Sequence, residues 1–269
     1  MGETISKYYL NICTLYIHMS NFVTKKQISN YKYTYIGIGD GFGAQYQQLI
    51  TAYVVCSIHN EKFVYTSRNK MEHNYDNNPG FLKQIEDLMN IKNNIENNIN
   101  NQAKIVQYTI LRNWFEKNID MACDSKYFKQ IKSYFWQNKE RNVFKNDKIN
   151  ISVHIRRPNS DDTQWHCREI IPHSYYLNIM SVIREKYKNK HLLFHIYSQG
   201  GLEDFKIYEN IDVTLHINEQ LSKTFIELVA ADILVTSPSS FSYVAALLSD
   251  GEVYYKKFWH NPRKEWIVC

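Results

Sequence analysis

Ile149-Asn-Ile-Ser-Val-His-Ile-Arg-Arg157 is the stretch on which the fold turns. Its β-branched residues over 149–155 predict a strand, with Ile151, Val153 and Ile155 filling a buried position, and the two arginines fall at the strand's carboxyl end, where open α/β sheets bind ligands. Arginine cannot shed its charge, so two adjacent guanidiniums beside a sheet edge need an anion or acids nearby. A diphosphate meets that need. Pairing with Asp161 and Asp162 just downstream, or plain exposure to solvent, would meet it as well.

Working outward from this strand, a helix is predicted over 175–187 and a continuous apolar run, Leu192-Leu-Phe-His-Ile-Tyr197, reads as a buried parallel strand. A short helix at 202–208, a strand at 213–216, a helix at 224–230, a strand at 232–236 and a helix at 240–248 complete the series. Strands alternating with helices at this spacing predict a doubly wound parallel sheet. Upstream, the polar run 139–150 marks a boundary, and Trp114, Phe115, Phe128, Phe135 and Trp136 on helical spacing predict the core of a first half. That half opens on a strand at 33–38, a glycine-rich turn Gly39-Asp-Gly-Phe-Gly-Ala44, a helix from Gln45 to His59 with Tyr46, Leu49, Ile50, Tyr53 and Val54 on one period, and a strand at 63–66. The asparagine-laden segment 74–101, where Ile91, Ile95 and Ile99 recur every four residues, is expected to be a solvated helix or insertion, or else an acceptor-binding flap. The organisation expected is therefore α/β, with two facing Rossmann-like domains at 1–145 and 146–269.

Composition excludes other classes. With 44% hydrophobic residues the chain is too apolar to be disordered, and 9 Gly and 5 Pro are too few for a fibrous or linker-rich one. Its five cysteines are scattered with no C-x-x-C pair, so neither a disulfide framework nor a zinc or redox site is suggested, and free thiols in a reducing, cytoplasmic setting are expected. No run approaches the roughly 20 apolar residues of a membrane span, and residues 8–19 lack the features of a signal peptide. The net charge of +5 is interspersed rather than striped, which favours a small anionic ligand over nucleic acid.

The turn at 39–44 has the spacing of a dinucleotide fingerprint, yet the strand at 63–66 ends in Thr66-Ser-Arg68 with no carboxylate for a ribose, which disfavours an NAD-dependent oxidoreductase. The turn can instead bring backbone N–H groups to a phosphate, or simply join strand to helix. Thr236-Ser-Pro-Ser-Ser240 precedes a helix and offers either a cap or an anion site. There is no D-x-D pair, no phosphate-binding GKS/T loop, no nucleophile elbow and no HExxH helix.

Taken in order and spacing, Gly39-Asp-Gly-Phe-Gly-Ala-Gln45, His154-Ile-Arg-Arg157 and Asp232-Ile-Leu-Val-Thr-Ser-Pro-Ser-Ser-Phe-Ser242 resemble the GDP-fucose-dependent fucosyltransferases, the superfamily of alpha-1,2, alpha-1,6 and protein O-fucosyltransferases. The chain looks most like a compact alpha-1,6 type catalytic core over residues 33–249. The resemblance implies a GT-B-like fold and inverting transfer of fucose, or a related sugar, from a GDP-sugar to a glycan or glycoconjugate. It implies no cofactor and no metal. By resemblance Arg156 holds the β-phosphate, Arg157 supports it or its loop, and His154 sits near the guanosine. Gly41, Phe42, Gly43 and Ala44 approach the diphosphate from the first domain, and Ser239 and Ser240 from the second, while Tyr197 and Ser198 line the nucleotide pocket. The family's guanine-reading Asp falls on Thr224, with Glu227 one turn later. Its acid after the arginines is replaced by Pro158-Asn159, and its catalytic Glu falls on Gln164, so Asp161, Asp162 and Glu169 are the candidates for general base, Asp162 first. The lost acid also leaves open a catalytically inactive nucleotide-sugar or glycan-binding module of the same fold.

Overall fold

In a computed structural model that describes residues 31–37, 40–74, 77–99, 102–157 and 170–269, the first half forms β1 (Lys32–Thr34), α1 (Phe42–Ile58), β2 (Lys62–Phe63), α2 (Phe81–Met89), β3 (Lys104–Ile105), α3 (Tyr108–Lys117), α4 (Ile119–Asp124) and α5 (Lys126–Trp136). The second half forms β4 (Ile149–His154), α6 (His173–Lys186), β5 (Leu192–Ser198), a 3-10 helix (Leu202–Tyr208), β6 (Val213–Ile217), α7 (Leu221–Ala230), β7 (Ile233–Val235), α8 (Ser240–Leu248), β8 (Glu252–Tyr255) and β9 (Ile267–Val268). Among the described residues no helix is long and apolar enough to cross a membrane.

All strand pairs within the two sheets are parallel, as expected of the α/β class. The small sheet has the order β2-β1-β3, and the large one β6-β5-β4-β7-β8-β9. Counted from β4, the large sheet runs third, second, first, fourth, fifth, sixth, which is the doubly wound Rossmann order. Its topological switch lies between β4 and β7, so the crevice outside their carboxyl ends is where the arginine pair emerges.

Alternation along the strands sorts the core onto two faces. Ile151, Val153 and Ile155 of β4 and its extension join Phe194, Ile196, Ile233, Val235 and Tyr254 against Tyr176, Ile179, Met180 and Ile183 of α6. On the opposite face Leu234, Val253 and Tyr255 pack under α7 and α8, and this second cluster continues without a break into α1, α3 and α5 of the first half. There α1 is enclosed on nearly every side, with Tyr46, Leu49, Ile50, Ala52 and Val54 all fully buried.

Several sequence expectations change. The helix after the glycine turn begins at Phe42 rather than Gln45, because Gly43 and Ala44 already belong to its first turn. The segment 74–101 is not one solvated helix: α2 ends at Asn90 in a left-handed cap, and the following turns bury Ile91 and Ile95 while Ile99 stays 86% exposed. Strand β1 is only three residues long, and β3, β8 and β9 were not expected at all.

Candidate functional site

The alternation that builds the core also separates the two arginines. His154, an even position on β4, turns to the α8 face and lies 5.4 Å from the Phe241 ring. Arg156 shares that face and bears electrostatically on His154: burial first, then the Arg156 charge, lowers the His154 pKa to about 3, so the imidazole is neutral. Arg157 turns the other way. Its Nη1 donates to the carbonyls of Arg156 and Ile171 at 3.2 and 3.1 Å, and its Nη2 lies 3.1 Å from His173 Nε2, whose ring is held in turn by the Tyr208 hydroxyl at 2.8 Å. Arg157 thereby ties residue 157 to residue 171, the two ends between which Asp161, Asp162, Gln164 and Glu169 run. Those four lie outside the described residues.

Ser237, not singled out in the sequence, is the knot of the crevice. Its hydroxyl donates to the His154 carbonyl at 2.7 Å, so it accepts from the Arg156 N–H at 2.8 Å and from the Tyr176 hydroxyl at 2.5 Å. The carboxyl ends of β4 and β7 and the face of α6 are thus fastened at one fully buried oxygen. The only sequence signal was the position of Ser237 directly after a strand, within a run of hydroxyls that could each have been the one. Ser239 is the α8 N-cap, its Oγ accepting from the Phe241 N–H at 3.3 Å, and Ser240 is the first helical residue, half-buried at the crevice.

From the first half, α1 brings its N-terminus to the same place. A Cβ on Gly43 would lie 2.4 Å from Phe241 N and 2.6 Å from the Ser240 carbonyl carbon, so only glycine lets the first turn of α1 press backbone to backbone on the first turn of α8. Two helix N-termini, each the positive end of a dipole, thus meet at the crevice where Arg156 follows β4 and its backbone N–H is held by Ser237. Phe42 seals the junction against Phe225 and Phe241, at ring distances of 4.8 and 6.0 Å, and Gly41 caps α1 with backbone alone, its own N–H donating to Asp40 Oδ1 at 2.7 Å. Ala44 is half-buried on that turn.

The other nucleotide candidates fall in two places. Ser198 closes β5 at the crevice and donates to the Ile155 carbonyl at 2.7 Å. Tyr197 faces the opposite way and is fully buried, stacked 4.6 Å from His216, with its hydroxyl on Glu227 Oε2 at 2.9 Å. That bond fixes the half-buried Glu227 on α7, one turn after the half-buried Thr224. Tyr197 therefore positions an acid rather than presenting its own ring to a ligand.

No family model matches the chain, and no curated protein matches it. Solved structures similar to it include the fucosyltransferase NodZ from Bradyrhizobium, at 10% identity and a TM-score of 0.41, covering 82% of this chain and 94% of that one. The selenomethionine form of the Bradyrhizobium enzyme, at 12% identity and a TM-score of 0.42, covers 82% and 93%, and NodZ alpha-1,6-fucosyltransferase soaked with GDP-fucose, at 10% and 0.39, covers the same shares.

Proposed function

We propose that the chain is an inverting glycosyltransferase that moves fucose, or a related sugar, from a GDP-sugar to a hydroxyl of a glycan or glycoconjugate, without a metal ion. One observation carries this reading: at the switch of a Rossmann-ordered sheet, the N-termini of α1 and α8 meet at Gly43 and Phe241, at the end of the sheet where Arg156 follows β4 and is held by Ser237. Such a crevice suits a diphosphate, whose charge is met by one guanidinium and two sets of backbone N–H groups.

Cleavage of the bond between the anomeric carbon and the diphosphate oxygen puts negative charge on the leaving oxygen and oxocarbenium character on the sugar. Donors fixed in advance at the diphosphate stabilise the first of these, and Ser237, by holding the Arg156 N–H, keeps the Arg156 backbone in place for it. Arg157 acts on the structure of the site, joining the ends of the segment that carries Asp162. A proton leaves the acceptor hydroxyl as it attacks the opposite face of the sugar, and Asp162, ahead of Asp161 and Glu169, is proposed to take it. Thr224 and Glu227, on a helix packed against the same crevice, are proposed to meet the guanine, with Glu227 aligned by Tyr197. A cytoplasmic enzyme follows from the cysteine usage.

A donor screen read by product mass tests the proposal, with titration of GDP against AMP and NAD beside it. Sugar transfer from a GDP-sugar, and tighter binding of GDP that Arg156→Ala removes, support it. Equal binding of the three nucleotides and no transfer from any GDP-sugar would discard it.

A further inference from the structure

A third arginine lies between Gly37, after β1, and the first turns of α1. Arg68 follows β2 and is 8% exposed. Its Nη2 donates to the Gln45 carbonyl on α1 at 3.0 Å, and its guanidinium carbon lies 5.7 Å from the centre of the Tyr35 ring. Its Nε and Nη1 are buried with no hydrogen-bond partner among the described residues. Nη1 sits under Gly37, where a Cβ would be 3.0 Å from it and 2.7 Å from Gln45 Oε1, itself a buried acceptor lacking a partner among the described residues. The Gln45 amide nitrogen donates to the carbonyls of Asp40 and Lys70 at 2.8 and 3.2 Å, so Arg68 and Gln45 together brace Gly37, Asp40 and the start of α1.

Burial outweighs the attraction of Glu86 and lowers the Arg68 pKa, and no described carboxylate touches the guanidinium. Among the described residues no carboxylate forms an ion pair with Arg68; Asp40 accepts from the Gly41 N–H, and Glu86 is occupied by the Tyr65 hydroxyl at 2.8 Å and by Lys92 at 3.1 Å. A buried guanidinium stays charged and is costly unless compensated. The position is not incidental: Arg68 and Gly37 follow neighbouring parallel strands, at the edge from which the connection out of β1 enters the α1 N-terminus, and ligands of parallel sheets collect at that edge.

We propose that Arg68 is the counter-charge beneath an anion bound at the start of α1, over Gly41–Ala44. Resting on the glycosyltransferase reading, that anion is the donor diphosphate, held between Arg156 from the second half and the start of α1 from the first. Arg68 is a positioning residue, acting through the turn by its charge and by the Gln45 carbonyl it holds.

The test uses the full chain, inorganic pyrophosphate as probe, and Arg68→Met and Arg68→Lys as variants, with calorimetric titration and thermal unfolding as readouts. Arg68→Met is expected to unfold at the same or a higher temperature without ligand, since an apolar side chain replaces an uncompensated charge. It should bind pyrophosphate about tenfold more weakly, the size of a unit-charge interaction across the turn at intermediate dielectric. Arg68→Lys, keeping the charge, should stay within about threefold of the parent affinity. The proposal is overturned if Arg68→Met lowers the unfolding temperature and leaves pyrophosphate affinity unchanged, which is what a mere brace would do, or if the parent chain binds no pyrophosphate. Should the Met variant not fold, a tenfold loss in the Lys variant overturns it and retention supports it. Preference for GDP over AMP is read separately: its absence, with the pyrophosphate result intact, removes the glycosyltransferase reading and leaves the role of Arg68 standing.

Discussion

The two sheets differ in how far each can sustain itself. The large sheet has six strands, a central strand paired over six residues with β5, and its own helix, α6, covering one face. The small sheet has three strands of two or three residues, too few for independent stability, and its order comes from the buried helix α1. That helix rests on α7 and α8 of the second half, in one continuous core. The half that supplies the glycine turn therefore depends on the half that supplies the arginine pair, and the diphosphate crevice lies along the dependence.

The sharpest way to break the comparison is Phe225→Ala. Phe225 belongs to the second half, yet its ring meets Phe42 and Phe135 of the first at 4.8 and 5.6 Å, as well as Phe241. Loss of about 3–5 kcal/mol is expected, with hydrogen exchange rising more in α1 and α5 than in β4 and β5. Uniform exchange across both halves would show that neither depends on the other. Gly43→Val comes next: a clash with helix backbone has no side chain to yield, so urea unfolding should show a loss of about 3 kcal/mol, accompanied by loss of nucleotide binding.

Arg156→Ala sharpens the comparison from the other side. A fall in kcat/KM of about 10²–10³ is expected with little change in unfolding, because the residue serves chemistry on a sheet that stands without it. An unfolding midpoint that drops as far as it does for Phe225→Ala would contradict this.

Acid should act most strongly within the second half, since burial lowers the His59 pKa in the first half without the added cationic or histidine neighbour. His154 and His195 are held neutral, with pKa lowered from 6.5 to about 3 and about 4, by burial first and then by Arg156 and by His216 respectively. Since the unfolded chain binds these protons more readily, their effect is absent above pH 6.5 and stability falls as pH drops below it, by up to about 1.4 kcal/mol per pH unit for each. His195→Gln should flatten the decline between pH 6.5 and about 4, followed by urea unfolding across that range; an unchanged slope would refute the assignment. The smallest effect is expected of Asp212→Asn, which breaks a two-pronged pair with Arg184 at 2.8 and 3.0 Å on the outer face of the large sheet. Its partial exposure limits the loss to below about 1 kcal/mol by the same measurement.

This asymmetry also explains what could be read from residues alone. β4, β5 and α8 were legible because long apolar runs and a hydroxyl-rich helix start are local signals, and α8 falls where it was expected. In the small sheet β1 and β2 were expected, though as longer strands at 33–38 and 63–66, whereas β3, with two residues, leaves no period to detect. Ile91 and Ile95 share a four-residue spacing with a helix but are buried by turns. At the site, the motif residues His154, Arg156, Gly43 and Ser240 are gathered by the fold. The division between Arg156 and Arg157 follows from strand alternation, but the partners each one meets, the knot at Ser237 and the buried charge of Arg68 depend on neighbours distant in sequence, and no spacing encodes them.

The alternation along β4 has a genetic consequence. A codon gained or lost between 149 and 155 would leave both arginines in the protein and exchange their faces, sending the clasp of residue 171 to the crevice and the crevice cation to α6. Adjacent and chemically identical, the pair gives no redundancy: each is an address, and neither can stand in for the other.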